Sequence, residues 1–219
     1  MEIVSKFGNL ISLFETGGIA GVLIAACAIL LIVVGIERFI WLFVLKSYKI
    51  SNLLEGMRPF IIQRNYSEAL QVASQNKRAP QMEVVKAALL SVENGREAMK
   101  SAQGSELVKV IDRCEDRLPL INLIANIATL LGLLGTITGL IKTFEGLAAL
   151  DASQKAKALG AGISEAMNST AVGLSVGIFA MIVHSIYTTR AERIISSSQD
   201  AGLKVISWVE QAERVEVKS

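Results

Sequence analysis

A single histidine, His184, and two cysteines, Cys27 and Cys114, are this 219-residue chain's whole supply of imidazole and thiol groups. That scarcity leaves no metal-ligand cluster and no nucleophile–base set, so an enzyme is not expected, nor any catalytic residue, metal or cofactor. The two thiols lie on different segments at different depths, which excludes a disulfide and leaves both free. A formal net charge of +2 with no basic patch gives no footing for nucleic acid. Aromatic residues make up 5% and charged ones 19%, against 52% hydrophobic, and the charges are unevenly placed.

Asp, Glu, Lys and Arg are absent from three long windows: residues 17–36 (20 residues), 118–141 (24) and 166–189 (24). A helix needs about 20 apolar residues to cross a hydrocarbon core roughly 30 Å thick, so each window predicts a membrane span. The first continues past Glu37 and Arg38 to residue 45. Ile24-Ala25-Ala26-Cys27 has the form of a lipoprotein cleavage box. Glu15 borders the apolar stretch, however, and the stretch runs well beyond Cys27, so a retained helix is expected.

Basic residues set the orientation. Residues 46–117 hold 12 Lys or Arg, with Lys46, Lys49, Lys109, Arg113 and Arg117 near the ends, and Arg190 and Arg193 follow the third span. The other side carries Lys6, Lys142, Lys155 and Lys157. This bias places the long loop and the C-terminus in the cytoplasm and the N-terminus outside. The expected order is an outer interfacial helix over 1–16 and a first span over 17–45. A cytoplasmic helical loop follows over 46–117, then a second span over 118–141. Residues 142–165 form a short periplasmic loop and the start of the third helix, which spans 166–189 before a cytoplasmic tail over 190–219. Pro59 and Pro80 punctuate helices near 50–63, 66–76 and 82–94. Beyond Gly95, the spacing of Leu107, Ile111, Cys114 and Leu118 predicts one long helix running unbroken into the second span. The fold class is therefore an all-α membrane protein with three transmembrane helices, two of them extended into a cytoplasmic bundle.

Small and hydroxyl residues line one face of each of the last two spans. On the second these are Thr129, Gly132, Thr136, Gly139 and Thr143; on the third, Ala166, Thr170, Gly173, Gly177 and His184. Small residues admit close helix approach, and Gly132, Gly139, Gly173 and Gly177 are the packing candidates. A threonine in a helix can also bond its own backbone, so helix packing and a hydrated path both fit these faces. One subunit is not expected to bury them all, which predicts a homo-oligomer.

Depth favours the path. Thr136 lies 19 residues beyond Arg117 and Thr170 lies 20 before Arg190, so at 1.5 Å per residue both sit roughly 28–30 Å from the cytoplasmic flank. Glu165 is five residues outside Thr170 and rotated about 140° from it, so one straight wall cannot hold both. It is either an interfacial charge or a titrating group on a proton route. No Asp occurs in any span, and threonine does not titrate. Apart from Glu165 the spans thus hold no titrating group deep in the membrane, and a proton path here is expected to draw on a partner's acid.

These residues resemble a known family, the ExbB and TolQ proton-channel subunits, with the flagellar stator MotA as a distant relative. The likeness rests on the order of the three spans, GLLGTITG at 132–139, E-A-x3-T-A-x-G-L at 165–174 and Ile36-Glu37-Arg38. It implies that Thr136 and Thr170 are pore threonines and Glu165 the third-span glutamate. It also implies a homo-pentamer in a bacterial inner membrane around an ExbD- or TolR-like single-span partner, whose Asp takes up the proton. A TonB- or TolA-like transducer would receive the work at the outer membrane or cell envelope. Two features depart from the pattern: Phe179 stands where many relatives have a proline, and flagellar stators have four spans. The expectation from a different class is a non-conducting homo-oligomeric scaffold.

Overall fold

The computed structural model describes residues 18–45, 51–75, 79–148 and 151–216. The interfacial helix expected over 1–16 lies outside them, as do Lys6, Lys46 and Lys49. Among the described residues every regular element is helical. In chain order these are α1 (Gly18–Phe39), prolonged by a π-helical turn (Ile40–Leu45), then α2 (Ser51–Ile62), α3 (Tyr66–Gln75) and α4 (Pro80–Leu90). A 3-10 turn (Val92–Asn94) leads to α5 (Arg96–Glu115), α6 (Leu118–Leu147) and α7 (Ala152–Glu216). Three helical stretches, over 19–43, 96–147 and 152–214, are long and apolar enough to cross a membrane. The chain is an all-α membrane protein.

Two compact units divide the chain. The first contains residues up to Glu37 together with 117–186, so it holds α1, α6 and the N-terminal part of α7. Ala20, Ile24, Leu31 and Val34 recur at helical spacing and form the buried stripe of α1, while Ile19, Val22, Ile29, Ile32 and Val33 are exposed. An outward face this apolar suits lipid, where exposed hydrocarbon costs nothing. Helices α6 and α7 run antiparallel at close range, as the paired glycines described below require.

The second unit comprises residues 38–116 and 187–219. Its core draws Leu54, Met57 and Ile61 from α2, Ala69 and Ala73 from α3, Met82, Val85 and Leu89 from α4, Met99 from α5 and Val205, Ile206 and Val209 from α7. Pro80 stands in the first turn of α4, where a missing N–H is harmless. Pro59, by contrast, is tolerated inside α2, within one turn of its end. Gly95 has φ +86°, a left-handed value that a side chain would oppose, and it turns the chain into α5. Two buried glutamines tie α7 to this layer: Gln81 Nε2 donates to Ser197 Oγ at 2.7 Å, and Gln103 Nε2 to the Gln199 carbonyl at 3.4 Å.

The helix expected to run unbroken into the second span is in fact interrupted. α5 ends at Glu115, Arg117 adopts a left-handed φ of 60°, and α6 starts afresh at Leu118. Pro119 is the cause. It has no N–H to give the Glu115 carbonyl, and its ring would collide with that carbonyl in a continuous helix. Arg117 is ion-paired with Glu37 in the first unit, and in the second Arg38 pairs with Asp116 and donates to the Arg113 carbonyl at 3.2 Å. Of the four regularly spaced residues, Cys114 and Leu118 are buried and Leu107 and Ile111 half-buried. Within 142–165, expected to hold a short loop and the start of the third helix, α6 reaches Leu147 and α7 begins at Ala152.

Candidate functional site

The two small-residue faces meet each other. A Cβ placed on Gly173 would lie 2.6 Å from the Ala128 carbonyl oxygen and 2.7 Å from Gly132 Cα. One on Gly177 would lie 2.4 Å from Thr129 Oγ1, one on Gly139 3.0 Å from Ala166 Cβ, and one on Gly162 2.1 Å from Thr143 Oγ1. A side chain at these positions would crowd the facing helix, so α6 and α7 lie in close contact over more than four turns, backbone against backbone at Gly173 and Gly177. The faces bury each other within one chain. Thr129, Thr136, Thr143, Thr170 and His184 nevertheless stay only half-buried.

At the middle of this seam the hydroxyls of Thr136 and Thr170 come within 2.9 Å of each other. Equal rise along two antiparallel helices delivers them to one level, as their spacing from the flanking arginines predicts. Each hydroxyl has one proton and two acceptor sites. Thr170 can give its proton to the Gly132 carbonyl across the seam at 2.9 Å, or to Thr136. Thr136 can give its own to the Leu133 carbonyl at 2.7 Å, or to Thr170. Two complementary arrangements follow: Thr136 to Thr170 to Gly132, and Thr170 to Thr136 to Leu133. Both side chains stay half-buried, so the pair is not sealed inside the seam.

Glu165 is elsewhere. It is exposed and lines a cavity of about 260 Å³ with Lys142, Thr138, Ser169 and residues of α1. His184 is half-buried, 14 residues beyond Thr170 and so roughly 21 Å along α7, well away from the pair. Gly135, Gly162 and Ser169 join the seam without having been singled out in the sequence. Gly135 lies under Ser169, whose Cβ is 2.7 Å from the position of an added Cβ. Their signal was present as a continuation of the same three-four spacing in both directions. No group of His, Cys, Asp and Glu that would suit a metal occurs among the described residues.

Residues 76–200, more than half of the chain, match the sequence profile of the MotA/TolQ/ExbB proton channel family. That stretch contains both threonines and Glu165 but not α1. The chain is 25% identical over 190 residues to a putative biopolymer transport protein ExbB homolog of Methanothermobacter thermautotrophicus, covering 87% of this chain and 67% of the relative. It is 37% identical over 93 residues to the biopolymer transport protein exbB1 of Vibrio cholerae, covering 42% and 41%. With the Tol-Pal system protein TolQ of Pseudomonas aeruginosa it shares 32% identity over 84 residues, covering 38% and 36%. The matched stretch thus spans less than half the length of either bacterial relative.

Proposed function

Because the chain belongs to the MotA/TolQ/ExbB proton channel family, we propose that it is the channel subunit of a proton-driven motor in a bacterial inner membrane. Its long loop and C-terminus face the cytoplasm, as the distribution of Lys and Arg favours. Copies of the chain assemble into a homo-oligomer, a pentamer on the family pattern, around an ExbD- or TolR-like single-span partner. The partner's carboxyl accepts the proton, which moves past Thr136 and Thr170. The resulting motion energises a TonB- or TolA-like transducer acting at the outer membrane or cell envelope.

The observation that carries this reading is the hydroxyl pair at 2.9 Å. Hydroxyls do not titrate, but a pair with two interchangeable proton arrangements can accept a hydrogen bond on one side and donate on the other as a proton is handed past it. The half-exposed side of the pair is where a partner's acid or a water would meet it. Glu165 makes no contact with the pair and enters the path only as a charge near its outer mouth. One specific observation favours the scaffold reading: the Gly132 and Leu133 carbonyls are placed to accept both hydroxyl protons. In that case the pair serves helix contact alone.

Thr170→Val and Thr136→Val separate the two. Each keeps the volume and removes one or two hydrogen bonds, at a stability cost of about 0.5–1.5 kcal/mol apiece. Proton uptake into liposomes holding the chain and its single-span partner should fall at least about tenfold, the factor for 1.4 kcal/mol in a barrier. Thr→Ser should retain most of it. Unchanged uptake in both valine variants, with intact assembly, refutes conduction past the pair.

A further inference from the structure

We propose that the cavity between α1, α6 and α7 is a binding site for the headgroup of a zwitterionic phospholipid bearing a primary ammonium. The cavity belongs to the membrane unit and lies on a different face of the seam from the threonine pair. Its depth follows from the rise along α6. Measured from Arg117, Leu134 is roughly 26 Å away, Thr138 about 32 Å and Lys142 about 38 Å. With a hydrocarbon core about 30 Å thick, the floor lies among acyl chains and the mouth at headgroup level.

Chemistry at the mouth is of both signs. Lys142 on α6 and Glu165 on α7 line the same space, yet among the described residues no ion pair joins them. Two opposite charges that share a cavity without neutralising each other fit a ligand carrying the complementary pair. Deeper in, Ser169 is 3% exposed and its side chain abuts Gly135. Thr138, Thr143 and Ser175 all give their hydroxyl protons to a carbonyl one turn back. Ser169 does not, and its hydroxyl is without a partner among the described residues, facing the cavity it lines. That hydroxyl opens into the cavity, where whatever fills the space can bond it.

Size narrows the occupant. The volume, about 260 Å³, falls just short of the roughly 300–1,000 Å³ usual for small-molecule sites. It holds a headgroup and leaves the acyl chains outside, along the exposed Leu23 and Ile19 of α1. The phosphate meets Lys142, and the ammonium meets Glu165 through N–H donors that a quaternary ammonium lacks. Among molecules of this chemistry, the bilayer itself supplies ethanolamine lipids at the right depth.

Delipidated full-length protein in mild detergent, titrated with short-chain ethanolamine, choline and glycerol phospholipids and followed by native mass spectrometry, tests the site. The ethanolamine lipid should bind roughly tenfold more tightly than the choline lipid, as one charge-assisted hydrogen bond would give. Glu165→Gln should erase that preference while leaving choline-lipid binding in place. Lys142→Gln should weaken all three. Leu23→Trp, which fills the cavity from a lipid-facing position, should weaken all three with helicity unchanged. Equal affinities for the ethanolamine and choline lipids, or lipid binding that ignores Leu23→Trp, overturns the proposal and leaves water, about nine molecules by volume, as the occupant. Proton uptake is not the readout, so loss of conduction and loss of the lipid site are distinguishable.

Discussion

Adding one methyl group at Gly173 challenges the closeness of α6 and α7 directly. The new Cβ would stand 2.6 Å from the Ala128 carbonyl oxygen, 2.7 Å from Gly132 Cα and 3.0 Å from Gly132 N. All three neighbours are backbone, so no side chain can rotate away. Carbon atoms at rest stand about 3.5–4.0 Å apart, so the two helices must part by roughly 1 Å at this crossing. Overpacking of this kind costs about 1–3 kcal/mol, and the helix propensity gained in replacing glycine by alanine offsets about 1 kcal/mol of it. The net loss should be about 0–2 kcal/mol, and about 1–3 kcal/mol relative to a glycine-to-alanine change that meets no neighbour. One turn away, parting the helices by that amount carries the Thr136–Thr170 contact from 2.9 Å beyond hydrogen-bonding distance. Thermal unfolding in detergent, followed by circular dichroism, reads the first effect, and proton uptake in liposomes with the partner reads the second. Gly160→Ala is the control, since a Cβ there meets nothing within 4 Å. Its stability should hold or rise. Should Gly173→Ala unfold at the same temperature as Gly160→Ala and conduct normally, the seam is looser than these distances require.

Two further outcomes are expected. Native mass spectrometry of gently solubilised protein should show a homo-oligomer, and a monomer as the sole species would remove the shared pore from the reading. In the second unit, a hydrogen bond from Arg113 to Glu83 holds the guanidinium pKa above its ordinary value. A group whose pKa rises on folding contributes fully below its unfolded value and loses that contribution only as pH climbs through the folded one. Glu83→Gln should therefore cost about 0.2–1 kcal/mol, since Arg113 is 44% exposed, with no pH dependence from Arg113 between neutrality and mild alkali. A Glu83→Gln penalty that disappears by pH 9 in chemical denaturation would contradict this.

Much of the site was readable one residue at a time. The matched depth of Thr136 and Thr170 needs only the fixed rise of a helix and two flanking arginines. The separation of Glu165 from that pair needs only the 100° turn per residue. The glycines at 132, 139, 173 and 177 announced close packing by type and spacing. What misled was Leu107, Ile111, Cys114 and Leu118, whose regular spacing persists across a real break. Periodicity reports which residues turn inward along each helix and says nothing of whether the helix is continuous between them; Pro119 marks the break.

The sequence by itself determined three membrane-spanning segments, because charge-free windows of 20–24 residues match the thickness of hydrocarbon. It also determined the level of each polar group along its own helix. Tertiary structure alone decided what each face meets. A stripe of glycine and threonine looks the same whether it packs on a sister helix, a second subunit or water, since spacing within one helix carries no information about its neighbour. Here the stripes of α6 and α7 meet each other and leave Thr136 and Thr170 half-buried at the seam. The cavity of Lys142, Glu165 and Ser169 depends in turn on where α1 lies against both, an arrangement set by the combined packing of three helices and written in no single one.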